Sequence, residues 1–292
     1  MIIAKLMGGL GNQMFQYATA AGLAEKHNTN VVIDNSWFET TTNVETPRHY
    51  ELNRFALDQN FIDLGQFALV DKLSTSPKTK LYNLTIGRTT PRIFVYKEKG
   101  HGFDINVLNL PDNTLLEGYW QTEKYFTFCR YKILHDFTFI KGSTKKNQEV
   151  LDLIKRTTSV SLHIRRGDYA NNEITKAFHG LTGLGYYQEA ANKISRKIKN
   201  PHFFIFSDEP EWCRQNLKLS FPSTYVSHNV DGSEDMRLMI HCQHHIIANS
   251  TFSWWGAWLN PRKDKIVYAP KQWFNDSSMD TKDVLPKNWI KI

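Results

Sequence analysis

From Val160 to Arg165 the chain alternates: Val160, Leu162 and Ile164 against Ser161, His163 and Arg165. A period of two predicts a strand, and Gly167 breaks it. The second half repeats the theme. Residues 203–206, 224–227, 245–248 and 265–270 read as further strands, the last of them closing the sheet. Helical spacing falls at 185–199, at 234–242 with Met236, Leu238, Met239 and Ile240 inward, and in a segment carrying Trp254, Trp255 and Trp258. In the first half, residues 2–6 form a strand, 8–12 a Gly-rich turn, and 12–27 a helix. Its buried stripe is Met14, Tyr17, Ala18, Ala21 and Ala24. Residues 31–34 make the next strand. From 36 to 100 the pattern weakens into loops, with Trp37, Phe38, Arg48, His49, Tyr50 and Glu51 as an aromatic and polar cluster. Residues 114–121 read as a strand ending in Tyr119, Trp120 and Gln121. Strands alternating with helices predict an α/β fold with parallel sheets.

A chain of 292 residues exceeds one usual domain. The polar tract 141–146 sets the boundary, giving an N-terminal Rossmann-like domain over 1–145 and a C-terminal one over 146–292. Apolar residues at 41% supply two cores, which excludes a disordered chain. A net charge of +7 favours anionic partners. No basic tract or basic helix with interleaved aromatics gathers that charge, so a nucleic-acid footprint is not indicated. A small phosphorylated ligand fits better. Three dispersed cysteines give no disulfide framework and suggest a reducing compartment. Glycines interrupt any apolar leader, and no apolar run is long enough to cross a bilayer. The expected location is cytoplasmic, compatible with peripheral attachment at the inner-membrane face.

The chemistry gathers at strand ends. His163 and Arg165 stand at the tip of the central strand, with Arg166 and Asp168 in the following loop, where α/β sheets bind ligands. Adjacent arginines suit an anion; an Arg–Asp pair closing the turn is the structural alternative. The stretch Asn249, Ser250, Thr251, Phe252 and Ser253 joins a strand to a helix. It reads either as an N-cap or as a phosphate cradle of hydroxyls and backbone N–H groups. Asp208 and Asp235, near strand–helix junctions, could accept hydrogen bonds from a guanine edge or ribose, or serve as helix caps. Gly8, Gly9 and Gly11 open a second anion-ready helix start. Met14 occupies the place of the third glycine of the dinucleotide fingerprint, although Asp34 ends the next strand, so an NAD-dependent oxidoreductase is a competing reading. His241, Cys242, His244 and His245 fit no closed zinc site, and no Asp-x-Asp pair offers a divalent-ion clamp.

The segments 8–17, 118–121, 163–168, 206–208 and 246–257, in this order along the chain, resemble the signatures of the α-1,2-fucosyltransferases, and the match extends over essentially the whole chain. The resemblance implies a GT-B glycosyltransferase fold with two facing Rossmann-like domains and parallel sheets. It implies GDP-β-L-fucose as donor, an inverting displacement without a metal or other cofactor, and the 2-hydroxyl of a terminal galactose as acceptor, on an oligosaccharide or lipid-linked glycan. By position, Arg165 would bind the donor's β-phosphate with His163 beside it. Asp235, Ser250 and Thr251 would meet guanine and phosphate, and Asn12 would lie near the transferred sugar. Asp168, Asp34 and Glu51 are candidate bases, and a late, solvent-mediated proton transfer would need none. A non-catalytic galactoside-binding lectin is the other alternative.

Overall fold

The computed structural model describes residues 1–40, 47–70, 92–167, 180–276 and 279–292. They divide into two compact units, Met1–Thr138 and Phe139–Ile292. The divide precedes the polar tract 141–146. Thr144 accepts a hydrogen bond from the Asn147 N–H and so caps a helix of the second unit that begins at Lys145.

The first unit holds β1 (Ile2–Lys5), α1 (Leu10–His27), β2 (Val31–Asp34), a short α2 (Trp37–Thr40), β3 (Ala68–Val70), β4 (Arg92–Lys97), β5 (Thr114–Glu117) and α3 (Arg130–Asp136). The strands pair in the order β2-β1-β5-β4-β3, all parallel. Two features depart from the sequence reading. Strands β3 and β4 lie in the stretch read as loops, and the strand expected over 114–121 stops at Glu117. Helix α1 is also buried almost all round from Leu10 to Ala24, not on one stripe. Small residues explain this: Ala18, Ala20, Ala21 and Gly22 let neighbours close in, and a Cβ at Gly22 would meet the Tyr125 carbonyl. Asn28, in the left-handed region at φ 49°, ends the helix by donating its N–H to the carbonyls of Ala24 and Glu25.

The second unit runs α4 (Lys145–Arg156), β6 (Thr158–Ile164), α5 (Leu184–Ser195), β7 (Pro201–Ser207), α6 (Pro210–Asn216), β8 (Ser223–Val226), α7 (Gly232–His241), β9 (His244–Ile246), α8 (Thr251–Trp258), β10 (Val267–Ala269) and β11 (Ile290–Lys291). Its sheet order is β11-β10-β9-β6-β7-β8, again parallel throughout. Strand β11 follows the one expected to be last. It was hidden because only Ile290 and Lys291 pair, too few for a periodic signal.

Both faces of β6 are covered, as parallel strands require. Val160, Leu162 and Ile164 pack with Tyr187, Ala190, Ala191 and Ile194 of α5. Ser161 and His163 occupy the other face and are buried as well. Ser161 Oγ lies 2.8 Å from His245 Nδ1, and Asn260 Nδ2 lies 2.8 Å from His245 Nε2. Burial holds the His245 pKa well down, and both its ring nitrogens are bonded within the core, so it packs there as a neutral histidine. Trp254, Trp255 and Trp258 are buried and mutually packed, as their structural reading expects.

Each sheet reverses direction once. In the first unit the chain moves outward from β1 to β2 and returns from the far side to β5, so the reversal lies between β1 and β5. In the second it lies between β6 and β9. Ligands of open α/β sheets bind outside the carboxyl ends of strands at such reversals.

Candidate active site

At the second unit's reversal, β6 ends at Ile164 and passes into Arg165, Arg166 and Gly167. Register sets Leu162 beside Ile246, so the residues after β6 run out next to those after β9. The two arginines then part company. Arg165 Nη1 lies 3.1 Å from Asp208 Oδ2, and the Arg166 backbone N–H donates to Asp208 Oδ1 at 2.9 Å. Arg166 turns its guanidinium to Glu209 (Nε to Oε2, 2.9 Å) and stacks it over Trp212 at 3.5 Å. Asp208, from the end of β7, thus closes the turn. It also fixes Arg165 at the strand tip. A Cβ at Gly167 would stand 2.6 Å from Asp208 Oδ2, so glycine lets that carboxylate keep its place.

His163 is 5% exposed, its ring 5.3 Å from that of Phe252. Its Nδ1 is a buried polar atom with no hydrogen-bond partner. Burial, outweighing the attraction of Asp208, and then the Arg165 charge push its pKa down to about 4. A neutral imidazole with an unused nitrogen therefore sits beside the held guanidinium.

After β9 the chain passes through Ile247 and Ala248 to Asn249–Ser253. These five positions do not act alike. The Asn249 side chain is committed to the fold: its Oδ1 accepts from Thr182 Oγ1 at 2.8 Å, and its Nδ2 donates to the Trp273 carbonyl at 3.2 Å. Ser253 Oγ donates to the carbonyls of Ala248 and Ser250, which withdraws it from the expected cradle. Ser250 occupies the N-cap position of α8, yet its hydroxyl makes no capping bond. The N-cap reading of that hydroxyl is thereby corrected. The first-turn N–H groups, which have no partners within a helix, are thus left without a cap from that side chain. Thr251 and Phe252, partly exposed, begin that turn.

Phe252 also approaches α7, its ring 3.9 Å from where a Gly232 Cβ would stand. Asp231, not Asp235, caps α7, its Oδ1 accepting from the Ser233 N–H at 2.9 Å. Asp235 lies inside the first turn and accepts from Asn229 Nδ2 at 2.8 Å. Burial, and next the nearby Asp231 and Glu234 charges opposed by the Asn229 bond, leave its pKa raised to about 6. Asn229 escaped the sequence reading because it lies in an irregular segment with no periodic or motif signal.

The first unit's reversal carries a second uncapped helix start. Gly8 has φ +74°, and Gly9, at the N-cap of α1, provides no side chain to cap it. Gly11 lies in the buried first turn. Gln13 ties the turn down, donating to the carbonyls of Gly8 and His49 and accepting from the Glu51 N–H. Asn12 Oδ1 accepts from Gln121 Nε2 at 3.2 Å, joining the ends of β1 and β5. Met14 is fully buried, and Asp34 Oδ1 accepts from the Ser36 N–H, a turn contact. Glu51 pairs with Arg54. Trp37 stacks edge-on with Phe38, and Tyr50 with Phe61, so these aromatics anchor their own segments. Asp168 lies outside the described residues. Among those residues no cluster of three or more metal-ligating side chains occurs, and no helix is long and apolar enough to cross a membrane.

The model of glycosyl transferase family 11 matches residues 96–292. The chain belongs to that family. The Escherichia coli alpha-1,2-colitosyltransferase is 31% identical over 295 residues, covering 100% of this chain and 98% of its own. The O-antigen biosynthesis glycosyltransferase WbnK, also from Escherichia coli, is 32% identical across 98% and 99% of the two chains. A Bos taurus galactoside 2-alpha-L-fucosyltransferase is 30% identical over 152 residues, 49% of this chain and 41% of that one. In fold, the chain is similar to Arabidopsis thaliana FUT1 in complex with GDP, with TM-score 0.50, 11% identity, and coverage of 93% and 71%. This family 11 glycosyltransferase therefore has the two Rossmann-like units of a GT-B enzyme, and the oxidoreductase and lectin readings are set aside.

Proposed function

We propose that this glycosyltransferase is an inverting galactoside α-1,2-fucosyltransferase, moving L-fucose from GDP-β-L-fucose to the 2-hydroxyl of a terminal β-galactoside during surface-glycan synthesis. One observation carries the reading. Arg165, held by Asp208, and the uncapped start of α8 at Ser250 lie at adjacent strand ends of one sheet reversal. As the fucose–phosphate bond lengthens, negative charge builds on the departing diphosphate. A fixed guanidinium and free N–H groups are aimed at such charge before it appears, the arrangement that lowers a barrier most. No metal is needed in this scheme, because the cationic work is done by the side chain and the helix start. Neutral His163 offers a hydrogen bond beside Arg165, and Asp235 accepts from the guanine edge. The first unit takes the acceptor side.

The alpha-1,2-colitosyltransferase relative, matched end to end, supports a second donor reading in which colitose replaces fucose. Incubation with lactose and either GDP-fucose or GDP-colitose, with and without EDTA, decides between them. Release of GDP with GDP-fucose, undiminished by EDTA, together with an α-1,2-linked product, is the expected result. Release with GDP-colitose alone moves the assignment to that sugar, and EDTA-sensitive release overturns the metal-free mechanism. Localisation at the cytoplasmic membrane face, on a lipid-linked acceptor, belongs to the same proposal.

A further inference from the structure

The first unit's reversal contains a costly local arrangement. β5 ends at Glu117, and the chain then makes the turn Gly118–Tyr119–Trp120–Gln121. Trp120 adopts φ 56°, a left-handed conformation that bulky residues avoid. The Thr122 N–H reaches back to the Trp120 carbonyl at 2.7 Å, tightening the turn further. Trp120 is 1% exposed, and its indole Nε1 is buried with no partner. Backbone strain with an unpaired buried donor persists only where the surroundings impose it, and such places cluster where ligands are handled.

The imposing group is Glu98, just past the end of β4. Its Oε2 accepts from the Tyr119 N–H at 2.6 Å and its Oε1 from the Trp120 N–H at 2.9 Å. A Cβ at Gly118 would collide with the Glu98 side chain, so glycine is what allows the carboxylate this close. Braced in this way, the turn exposes Tyr119 and sets Gln121 against Asn12.

We infer that Glu98 is a positioning residue for the acceptor sugar: it holds the 118–121 turn so that Tyr119 presents an aromatic face to a galactoside and Gln121 fixes Asn12. An aromatic face with adjacent amides suits the apolar and hydroxylated sides of a pyranose. This rests on the acceptor reading above, since it names the residues of the first unit that take the galactoside.

Glu98→Gln keeps the side chain's size but turns one acceptor into a donor facing an N–H. Three readouts are taken: turnover with lactose, lactose and GDP binding by calorimetry, and amide exchange of peptides covering 118–121. Expected are a roughly ten- to hundredfold fall in kcat/KM for lactose, unchanged GDP affinity, and faster exchange at Tyr119 and Trp120. Tyr119→Ala, at an exposed position, should weaken lactose binding while leaving the Trp120 amide protected. Unchanged kcat/KM in Glu98→Gln overturns the inference. So does a loss without faster exchange in the turn, or one in which GDP affinity falls in parallel. Should the wild type transfer no sugar, the fucosyltransferase reading fails, and lactose binding in the presence of GDP with the exchange pattern still decides the role of Glu98.

Discussion

Asp208 touches both arginines that follow β6, but differently: it pairs with the Arg165 side chain at 3.1 Å and accepts only the backbone N–H of Arg166. The neighbouring cations therefore have separate duties. Arg165 is a restrained charge at the strand tip, whereas Arg166 is spent on Glu209 and Trp212.

The two arginines should separate in an alanine comparison. Arg166→Ala loses a partly exposed ion pair and a stacked guanidinium, about 1–2 kcal/mol together, seen as a melting point lower by a few degrees with most turnover kept. Arg165→Ala, which loses an ion pair but no stacked guanidinium, should lower the melting point less than Arg166→Ala and cut kcat by about 10²–10³-fold. Equal effects on turnover would show that the division of labour is wrong.

Gly167→Ala offers an independent handle on the same geometry. Its new Cβ would stand 2.6 Å from Asp208 Oδ2, so the carboxylate must move and release Arg165. Turnover should fall by about tenfold or more even though no charged group has been removed. A crystal structure of the variant should show the Arg165–Asp208 pair parted.

Ser250→Asp should push stability and function in opposite directions. A carboxylate at the uncapped start of α8 supplies the missing cap and complements the helix dipole, a gain of about 0.5–1 kcal/mol before the desolvation cost of a charge at this buried position. The same charge repels a diphosphate, so GDP affinity should drop sharply. Thermal melting and calorimetric titration on one sample read both signs.

Asp235 should do likewise as pH changes. Its pKa rises from 3.8 to about 6 on folding, so the folded protein disfavours the charged form. The associated stability is fully present below about 4 and is lost as pH rises through about 6. Asp235→Asn should therefore raise the melting point at pH 7.5 and leave it little changed at pH 4. On the proposed reading it should also weaken GDP binding at pH 7.5 and abolish the decline of wild-type affinity as pH falls through 6. A variant with wild-type GDP affinity at every pH would remove Asp235 from nucleotide recognition.

Much of this was legible in the sequence for definite reasons. The β6 alternation, the Gly-rich turn after β1 and the hydroxyl-rich stretch after β9 are local patterns, and each sits where the pattern placed it. What failed was also physical. In β4 the buried Ile93 and Val95 alternate with the half-buried aromatics Phe94 and Tyr96, not with polar residues, so no period-two contrast marked the strand. The commitments of Asn249 to Thr182 and Trp273, and of Glu98 to Tyr119 and Trp120, join residues far apart in the chain. Spacing cannot reveal such pairings, because tertiary packing alone creates them. A hydroxyl at an N-cap likewise looks the same in sequence whether it caps, as Thr144 does, or stands open, as Ser250 does.

The central claim is that a forked, fixed cation at 165 stabilises the leaving diphosphate. Single-turnover transfer from GDP-fucose to lactose in EDTA, comparing wild type with Arg165→Lys, tests it most directly. An ammonium keeps the charge but cannot make the two-pronged contact, so the account predicts a loss of about 10²-fold with GDP still bound. A lysine variant that transfers fucose at the wild-type rate would contradict it.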